Sequence, residues 1–374
     1  MLKKGDKKRK ILLVVYGNIH FGGVSVLLNN LLSNMVDKSD LEFKLYAFGK
    51  LVDKPVYQLY RDNGVNIILG GEDRFNKKKV FLDLVKILAS ERFDAVHCNT
   101  GGIDLTAAAM LAAKCLGIRK RIAHSHGAKN TPGPYKDYEI KGRAQINKYA
   151  NIKLTCSSEA ATHMFGDRDA EAVLIPNGIS SAKFTFNREI RKTAREQMRL
   201  EGKLVVGTVG RLDPIKNQTF ILEIARKLKD KADVAVLIVG SGSEKDNLVN
   251  YSKKLGIYDN VIFVESNNSV ERYLNAMDIF VLPSKAEGLG MAAIEAQSMD
   301  LPVWCSLAVP RQATVTEKIF FRDIKEDASA WADDMLGYIK CNDTEARTDR
   351  SEAVRASGYD ISASAQLLRD IYLK

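Results

Sequence analysis

Short apolar runs alternate with longer amphipathic patterns along most of the chain. β-branched runs predict strands, and apolar residues recurring every three or four positions predict helices. In the first half the predicted strands span 10–17, 43–49, 65–69, 94–99, 121–127 and 152–158, and the predicted helices span 22–35, 80–91 and 105–117. This alternation is typical of a parallel sheet whose crossover connections are helices.

The same alternation begins again after residue 200. The predicted strands of this second series cover 204–210, 234–240, 261–265, 278–284 and 302–306, and its predicted helices cover 218–230, 244–256, 269–277 and 289–299. Two series of similar length predict two doubly wound α/β domains. A Pro-Asn-Gly break at 176–178 favours domains at 1–177 and 178–358. A further helix is predicted over 359–374.

Length and composition narrow the class of protein. The 374 residues suffice for two domains, and 45% hydrophobic with 27% charged residues is ordinary for a globular protein. No apolar run reaches the ~18 residues that a membrane-spanning helix needs. The short apolar run after the basic N-terminus indicates a strand and not a signal peptide. The five cysteines form no C-x-x-C pair, so neither a disulfide framework nor a zinc site is predicted, and a cytoplasmic location is expected.

The net charge of +10 lies entirely in the first half. Residues 1–177 contain 28 Lys and Arg against 18 Asp and Glu, whereas residues 178–374 contain 28 of each. The excess is either a solvated basic surface or a face for an anionic partner, such as a lipid surface or a phosphate-bearing acceptor. No recognition motif with interleaved aromatic residues supports nucleic acid as the partner.

Ligands of doubly wound sheets bind at the carboxyl ends of the strands, so polar residues that follow strands are the candidates for chemistry. With two facing domains, the site is expected in the cleft between them. The stretch GRLDPIKNQ (210–218) places Arg211 and Lys216 around a turn that opens a predicted helix. A guanidinium and an ammonium at a helix N-terminus suit a diphosphate. The alternative interpretation is a pair of solvated loop charges.

A second candidate is the stretch SKAEGLGMAAIEAQSMDLP, in which two glutamates stand eight positions apart. Glu287 lies in the loop, and Gly288–Leu289–Gly290 open a helix whose free amides suit a phosphate. Glu295 lies about a turn and a half into that helix, where a carboxylate could accept hydrogen bonds from paired sugar hydroxyls such as a ribose diol. The alternative, an exposed surface glutamate, is disfavoured by the apolar residues around Glu295.

Three further features are less specific. Gly22 and Gly23, between the first strand and the first helix, suit close approach of a ligand or simply a tight turn. His124 and His126 share one face of a predicted strand, but they make a poor metal site without a nearby carboxylate, so no metal is predicted. The stretch GSGSEK (240–245) is a lone G-x-G, more typical of a turn lining the cleft than of a dinucleotide site.

The pattern E-G-L-G-x-x-x-x-E resembles the E-x7-E signature of retaining family-four glycosyltransferases. GGV, IPNGI and GRLDPIKNQ resemble the companion motifs in the same order, and the resemblance covers roughly residues 10–340. It is strongest to the bacterial exopolysaccharide and capsule branch, in which AHSH, CSSEAATHMFG, VLIPNGI and WADDML have counterparts. The resemblance implies the GT-B fold, with two Rossmann-like domains of which the second holds the nucleotide-sugar donor.

The resemblance also implies a role for each candidate. The donor diphosphate would be bound by Arg211 and Lys216, the donor sugar by Glu287, and the ribose hydroxyls by Glu295. The first-domain candidates are Gly22 and Gly23, near the diphosphate and acceptor, and His126, near the reacting carbon of the donor sugar. The helix over 359–374 would cross back onto the first domain.

The implied reaction is retaining transfer of a hexosyl or N-acetylhexosaminyl group from a nucleotide sugar, in particular a UDP-sugar, to a lipid-linked or polysaccharide-precursor glycan. Attack would occur on the front face of the sugar, without a metal or another cofactor. The basic first half would then hold the protein peripherally on the anionic inner face of the cell membrane.

One departure from this branch concerns the donor sugar, because Leu307 and Gln312 stand where an Asp and a Glu are expected. This leaves open a non-catalytic partner subunit with the same fold, and a nucleotide-sugar epimerase is a further alternative. The absence of G-x-G-x-x-G after either first strand argues against a nicotinamide oxidoreductase.

Overall fold

The computed structural model describes residues 8–15, 19, 23–50, 52, 54–72, 76–99, 102–127, 136–265 and 269–374. The chain divides into two compact units. Unit 1 comprises Met1–Gly178 and Ile361–Lys374, and unit 2 comprises Ile179–Asp360.

Unit 1 is built on a seven-stranded parallel sheet. Its strands are β1 (Arg9–Val15), β2 (Leu41–Gly49), β3 (Val65–Glu72), β4 (Ala95–Asn99), β5 (Lys120–Ser125), β6 (Ile152–Thr155) and β7 (Val173–Leu174). Its helices are α1 (Gly23–Ser33), α2 (Lys54–Asp62), α3 (Lys77–Ser90), α4 (Ile103–Cys115), α5 (Asp137–Tyr149), α6 (Ser158–Phe165) and, from the end of the chain, α14 (Ile361–Leu373). The strand order β3-β2-β1-β4-β5-β6-β7 reverses direction between β1 and β4.

Unit 2 repeats this plan with a six-stranded parallel sheet. Its strands are β8 (Leu204–Val209), β9 (Val234–Val239), β10 (Val261–Val264), β11 (Ile279–Leu282), β12 (Val303–Ser306) and β13 (Ile319–Arg322). Its helices are α7 (Arg188–Met198), α8 (Gln218–Lys229), α9 (Lys245–Lys254), α10 (Val270–Ala276), α11 (Met291–Ser298), α12 (Ala328–Cys341) and α13 (Ser351–Ala356). The order β10-β9-β8-β11-β12-β13 reverses between β8 and β11.

Each sheet buries both of its faces, as parallel sheets must. In β1 the alternate residues Ile11 and Leu13 belong to one apolar cluster of unit 1, and Leu12 and Val14 belong to the other. The first cluster also contains Ile361, Leu368 and Tyr372 of α14. The helix that follows unit 2 in the chain is therefore part of the hydrophobic core of unit 1.

Several elements of the structure were not predicted from the sequence. These are α2, α5, α6, α7, α12, α13, β7 and β13. Helix α5 buries only Gly142 and Ile146, and a Cβ at Gly142 would lie 2.6 Å from Cγ2 of Ile103 in α4. Helix α7 is highly charged, yet it buries Arg191 together with Ala194. A buried cation has the same polar signature in the sequence as a solvated one, so this core-facing side was not recognised.

Arg191 belongs to a buried ion-pair network that joins α7 to the start of β11. Its side chain donates to Asp278 (Nη2 to Oδ1, 2.5 Å), and the other Asp278 oxygen accepts from Arg195 Nη1 at 3.2 Å. The backbone N–H of Val205 donates to the same Oδ2 at 2.7 Å. Arg191 is 2% and Asp278 4% exposed, and without Asp278 the carboxylate that remains for Arg191 is that of Glu345, whose side chain is 54% exposed.

We predict that Asp278→Ala destabilises unit 2 by about 3–5 kcal/mol, because two guanidinium groups lose the buried carboxylate that they share. The measurement is urea unfolding followed by tryptophan fluorescence. The sequence contains two tryptophans, Trp304 and Trp331, and both are buried in unit 2, so this signal reports on that unit.

Asp333→Ala is the matched control. Asp333 also pairs with a cation, Lys231, but both side chains are about half exposed, so a loss within about 1 kcal/mol is expected. Equal losses in the two variants would contradict the interpretation of the Asp278 network.

Candidate functional site

The second sheet reverses its strand order between β8 and β11, and the candidate residues of unit 2 follow these two strands. The strands are paired directly, with Val206 opposite Ile279 and Gly207 opposite Phe280. Such a reversal opens a crevice at the carboxyl ends of the two strands, because their following helices lie on opposite faces of the sheet.

The structure brings Lys216, which follows β8, into contact with Glu287, which follows β11. Lys216 Nζ lies 2.6 Å from Glu287 Oε1, and the Ser284 hydroxyl donates to the same oxygen at 2.7 Å. The Glu287 side chain is 8% exposed. The ammonium has three donors, so contact with Glu287 leaves two for another acceptor. Sequence analysis placed Ser284 only at the end of a predicted strand, and its polar side chain at that position was the available signal.

The loop that carries Lys216 is fixed by its own backbone and by the neighbouring loop. Asp213 Oδ1 accepts from the backbone N–H groups of Ile215 (3.0 Å) and Lys216 (3.1 Å). Asn217 adopts the left-handed conformation (φ 55°), and its side-chain amide donates to the Pro283 carbonyl at 3.1 Å. These contacts position Lys216 through rigid backbone rather than through its flexible side chain.

Arg211 lies in the same loop but points into solvent. Its side chain is 64% exposed, and its Nε is 2.7 Å from Asp213 Oδ2. Within the described residues it forms no ion pair with Glu287. An exposed guanidinium with one of its donors engaged keeps its terminal N–H groups available for an anionic ligand.

The stretch 240–242 packs directly on the loop after β8. A Cβ at Gly240 would lie 1.9 Å from the Gly210 carbonyl oxygen, and one at Gly242 would lie 2.1 Å from that of Leu212. The Leu212 N–H donates to the Ser241 carbonyl at 2.9 Å. The two glycines therefore serve close backbone packing beside the candidate site.

Helix α11 begins immediately after Gly290. That residue has φ +83°, and a Cβ there would lie 3.1 Å from Val309 Cγ1, so both conformation and space favour glycine. Gly288 is exposed, and Leu289 packs against the apolar cluster of unit 2. Within the described part of the chain no side chain caps the helix start, as expected for amides that are to meet a ligand.

Glu295 lies on α11, and among the described residues it has no hydrogen-bonding partner. Burial raises its pKa to about 7, Lys183 opposes this rise, and Glu271 adds to it. Lys183 and Glu271 are themselves 3.3 Å apart (Nζ to Oε2). A half-buried carboxylate with a raised pKa and no hydrogen-bonding partner suits a site that awaits a hydroxyl or a cation.

The two departures from the expected donor-sugar contacts lie on the surface of unit 2. Leu307 follows β12 and is 56% exposed. Gln312 is also exposed, in a short 3-10 turn over Arg311–Ala313, and its backbone carbonyl accepts from the Tyr359 hydroxyl at 2.9 Å. Neither side chain supplies a carboxylate.

In unit 1 the order reverses between β1 and β4, and the two candidate histidines lie at the carboxyl end of β5, which pairs with β4. Gly22 lies outside the described residues, and Gly23 is the first residue of α1. His126 directly follows β5, and its ring centroid is 3.9 Å from that of His124. The prediction that the two histidines share one face is confirmed.

His126 is held by a residue that sequence analysis did not select. Its Nε2 lies 3.1 Å from Oδ1 of Asn99, the last residue of β4. Its Nδ1 is buried without a partner in the described part of the chain. Burial lowers the pKa of His126 to about 4, so the imidazole is neutral near pH 7. A polar residue at the carboxyl end of a strand beside the reversal was the available signal for Asn99.

Comparison with known proteins shows which family contains this arrangement of candidate residues. Residues 190–356 match the family described as "Glycosyl transferases group 1". They form a group 1 glycosyl transferase domain. The match runs from within α7 to the end of α13 and includes every candidate residue of unit 2. The prediction of a glycosyltransferase from the sequence motifs is therefore confirmed.

Relatives and solved structures extend the similarity to nearly the whole chain. The chain is 24% identical to the putative glycosyltransferase EpsF of Bacillus subtilis, over 98% of this chain and 97% of the relative. It is 27% identical, over 60% of each, to the UDP-Gal:alpha-D-GlcNAc-diphosphoundecaprenol alpha-1,3-galactosyltransferase of Escherichia coli. The crystal structure of Anabaena HepE in complex with UDP-glucose has a TM-score of 0.76 at 18% identity, covering 96% of this chain and 98% of that one. The predicted GT-B fold class is confirmed.

The raised pKa of Glu295 predicts that Glu295→Gln gains stability relative to wild type as pH rises. The ordinary glutamate value is 4.5 and the folded value about 7, so the folded state holds the proton more tightly than the unfolded chain. Stability associated with the protonated acid is therefore lost as pH rises through this window. Because glutamine stays neutral, the melting temperature of Glu295→Gln relative to wild type should be higher at pH 8 than at pH 5.

Tryptophan fluorescence again reports unit 2 melting. Glu201→Gln serves as control, because Glu201 is exposed. The difference in melting temperature between Glu201→Gln and wild type should be nearly the same at pH 5 and pH 8. An unchanged difference for Glu295→Gln would show that the carboxyl group is not desolvated.

Proposed function

We propose that the protein is a retaining glycosyltransferase that moves a sugar from a UDP-sugar to a lipid-linked or polysaccharide-precursor glycan. The observation that carries the proposal is the contact of Lys216 and Glu287 at the strand reversal of unit 2. The names of one relative and one solved structure support the proposed donor and acceptor. The Escherichia coli relative is named for UDP-Gal and a diphosphoundecaprenol-linked sugar, and the Anabaena structure contains UDP-glucose.

Each side chain of unit 2 has a role that suits its chemistry. Arg211 and the two remaining donors of Lys216 bind the donor diphosphate, and they stabilise the charge that develops on it as it leaves. Glu287 orients Lys216 through one oxygen and accepts from a donor-sugar hydroxyl. Glu295 accepts from the ribose diol, which satisfies its unpaired carboxylate.

The proposed transfer proceeds on one face of the donor sugar. The acceptor oxygen forms a bond to the anomeric carbon as the bond from that carbon to the phosphate oxygen breaks on the same face. The departing phosphate takes the proton of the acceptor hydroxyl, so the reaction balances without an enzymic nucleophile. His126 contacts the donor sugar, and the cationic side chains supply the charge stabilisation for which other transferases use a metal.

The nucleotide is tested by thermal shift of the purified protein with UDP, GDP, ADP and CDP, each with Mg²⁺ and with EDTA. A ligand at 100 times its Kd stabilises the protein that it binds by about 2.7 kcal/mol. We expect UDP to stabilise the protein equally under both conditions and Arg211→Ala to lose most of this effect. Arg226→Ala is the matched control, since Arg226 also pairs with an aspartate, at 2.6 Å, on the exposed side of α8.

Each departure from these results has a distinct meaning. Stabilisation by a nucleotide other than UDP would overturn the donor assignment, and a requirement for Mg²⁺ would overturn the metal-independent mechanism. An equal effect of UDP on Arg211→Ala would remove Arg211 from the diphosphate site. Binding of UDP without transfer or donor hydrolysis would favour the non-catalytic partner subunit.

The acceptor proposal places unit 1 against an anionic membrane surface at the cytoplasmic face. Among the residues that the structure describes, no helix has the length and apolar character of a membrane span. The proposed contact is peripheral. Unit 1 carries the basic excess. At the start of α5 it exposes Tyr138 and Ile140, each 53%, in a stretch where Lys136 and Lys141 enclose Asp137 and Glu139. Exposed apolar residues on a domain with a basic excess suit the headgroup region of an anionic bilayer.

Vesicle flotation tests this docking. The protein should float with vesicles that contain anionic lipid, and should do so less with neutral vesicles or at high salt, because surface charges are screened over about 8 Å at physiological salt. A double Lys136→Glu and Lys141→Glu variant should lose binding. The same double change at Lys192 and Lys325, exposed lysines of unit 2, should retain it. Binding insensitive to salt and to lipid charge would contradict an electrostatic docking surface.

A further inference from the structure

A row of aromatic side chains crosses the interior of unit 1 from α14 to the end of β5. The Tyr372 hydroxyl lies 2.6 Å from His97 Nδ1, and His97 Nε2 lies 3.2 Å from His124 Nδ1. The rings of His97 and His124 are stacked with centroids 5.3 Å apart, and His126 follows at 3.9 Å from His124. Tyr372, His97 and His124 are fully buried.

The hydrogen-bond donors of this row can be assigned from Tyr372. If His97 Nδ1 carried the proton, the buried Tyr372 O–H would have no acceptor among the described residues, which is costly. The tyrosine therefore donates to His97 Nδ1, and His97 Nε2–H donates to His124 Nδ1. Burial lowers the pKa of His97 to about 3 and that of His124 well below its ordinary value, so both rings are neutral.

The proton of His126 can be assigned from the other side, through Asn99. The Asn99 Nδ2 group lies 3.2 Å from the His97 backbone carbonyl, which can only accept, so this atom must be the NH₂. Oδ1 of Asn99 therefore faces His126, and it too can only accept. The proton of neutral His126 must then reside on Nε2, which leaves a lone pair on Nδ1.

We propose that Asn99 is a positioning residue that holds His126 in the Nε2–H tautomer, so that His126 Nδ1 accepts a hydrogen bond from a sugar hydroxyl. The identity of that hydroxyl rests on the proposed function, whereas the tautomer does not. The unpartnered, buried Nδ1 agrees with a group that awaits a donor. His126 thus acts as an acceptor and not as an acid or a cation.

The direct test is ¹⁵N NMR of the full chain labelled at histidine, recorded over a pH series. The sequence has only five histidines, so the His126 signals are identified by comparison with His126→Gln. Wild type should show neutral His126 protonated at Nε2. In Asn99→Asp a carboxylate faces the ring and stabilises imidazolium, which should raise the midpoint of the His126 titration by about 1–3 pH units. Asn99→Leu removes the acceptor and should give a mixture of tautomers.

Asn151 provides the matched control in the same unit. Its Nδ2 donates to the Arg119 carbonyl at 2.8 Å, and its Oδ1 accepts from the Arg121 N–H at 2.8 Å. Asn151→Asp therefore repeats the charge change on a similar hydrogen-bonding pattern, and it should leave the His126 signals as in wild type. The titratable groups that face His126 are His97 and His124, and both should stay neutral throughout the series.

Two outcomes overturn the proposal: Nδ1–H in wild-type His126, or an Asn99→Asp titration midpoint equal to that of wild type. Asn99→Asp preserves the side-chain size, so it decides the question even if Asn99→Leu does not fold. The experiment contains no donor or acceptor sugar. An active transferase with the wrong tautomer would refute only the role of Asn99, and an inactive protein with the expected tautomer would refute only the proposed function.

Discussion

The parallel pairing of β8 with β11 is the contact on which the chemistry of unit 2 depends. Because the strand order reverses there, the two following loops leave the sheet side by side, although they are about seventy positions apart in the chain. Hydrogen bonds between these loops, such as the Lys285 N–H to the Ile215 carbonyl at 2.7 Å, fix their separation. The Lys216–Glu287 contact follows from that backbone arrangement. In unit 1 the parallel pairing of β4 with β5, in which Asn99 lies opposite His124, brings Asn99 near the loop after β5.

Some buried polar groups of this protein have hydrogen-bond partners, and others have none among the described residues. In the ion-pair network around Asp278 both carboxylate oxygens are hydrogen-bonded, as a structural role requires. At the candidate sites, Glu295 and Nδ1 of His126 are desolvated without partners among the described residues. Desolvated groups without partners cost stability, and a bound ligand that hydrogen-bonds to them recovers that cost. At Glu295 and His126 this lack of a partner coincides with a position beside the carboxyl ends of the strands, which supports their assignment to ligand binding.

The sequence predicted the two parallel sheets and the loops that carry most candidates, because β-branched runs and glycine-rich turns are local signals. It did not predict α7, whose buried Arg191 has the composition of a solvated helix. It also did not select Asn99 or link His97 to Tyr372, which is 275 positions away, because such contacts arise only after strands and helices pack. The specific resemblance to a family supplied the roles of Arg211 and Glu295, which spacing alone left open.

The packing of α14 has a consequence for synthesis on the ribosome. Ile361, Leu368 and Tyr372 fill part of the core of unit 1, yet they are translated after all of unit 2. Unit 1, which emerges first, therefore exposes an unfilled apolar face until its final helix is made, whereas the contiguous unit 2 can complete its own core earlier. Domains usually fold in the order of their synthesis, and here that order is reversed for the last step. In the nascent chain, unit 1 is therefore the part that needs protection against aggregation for the longest time, although it is synthesised first.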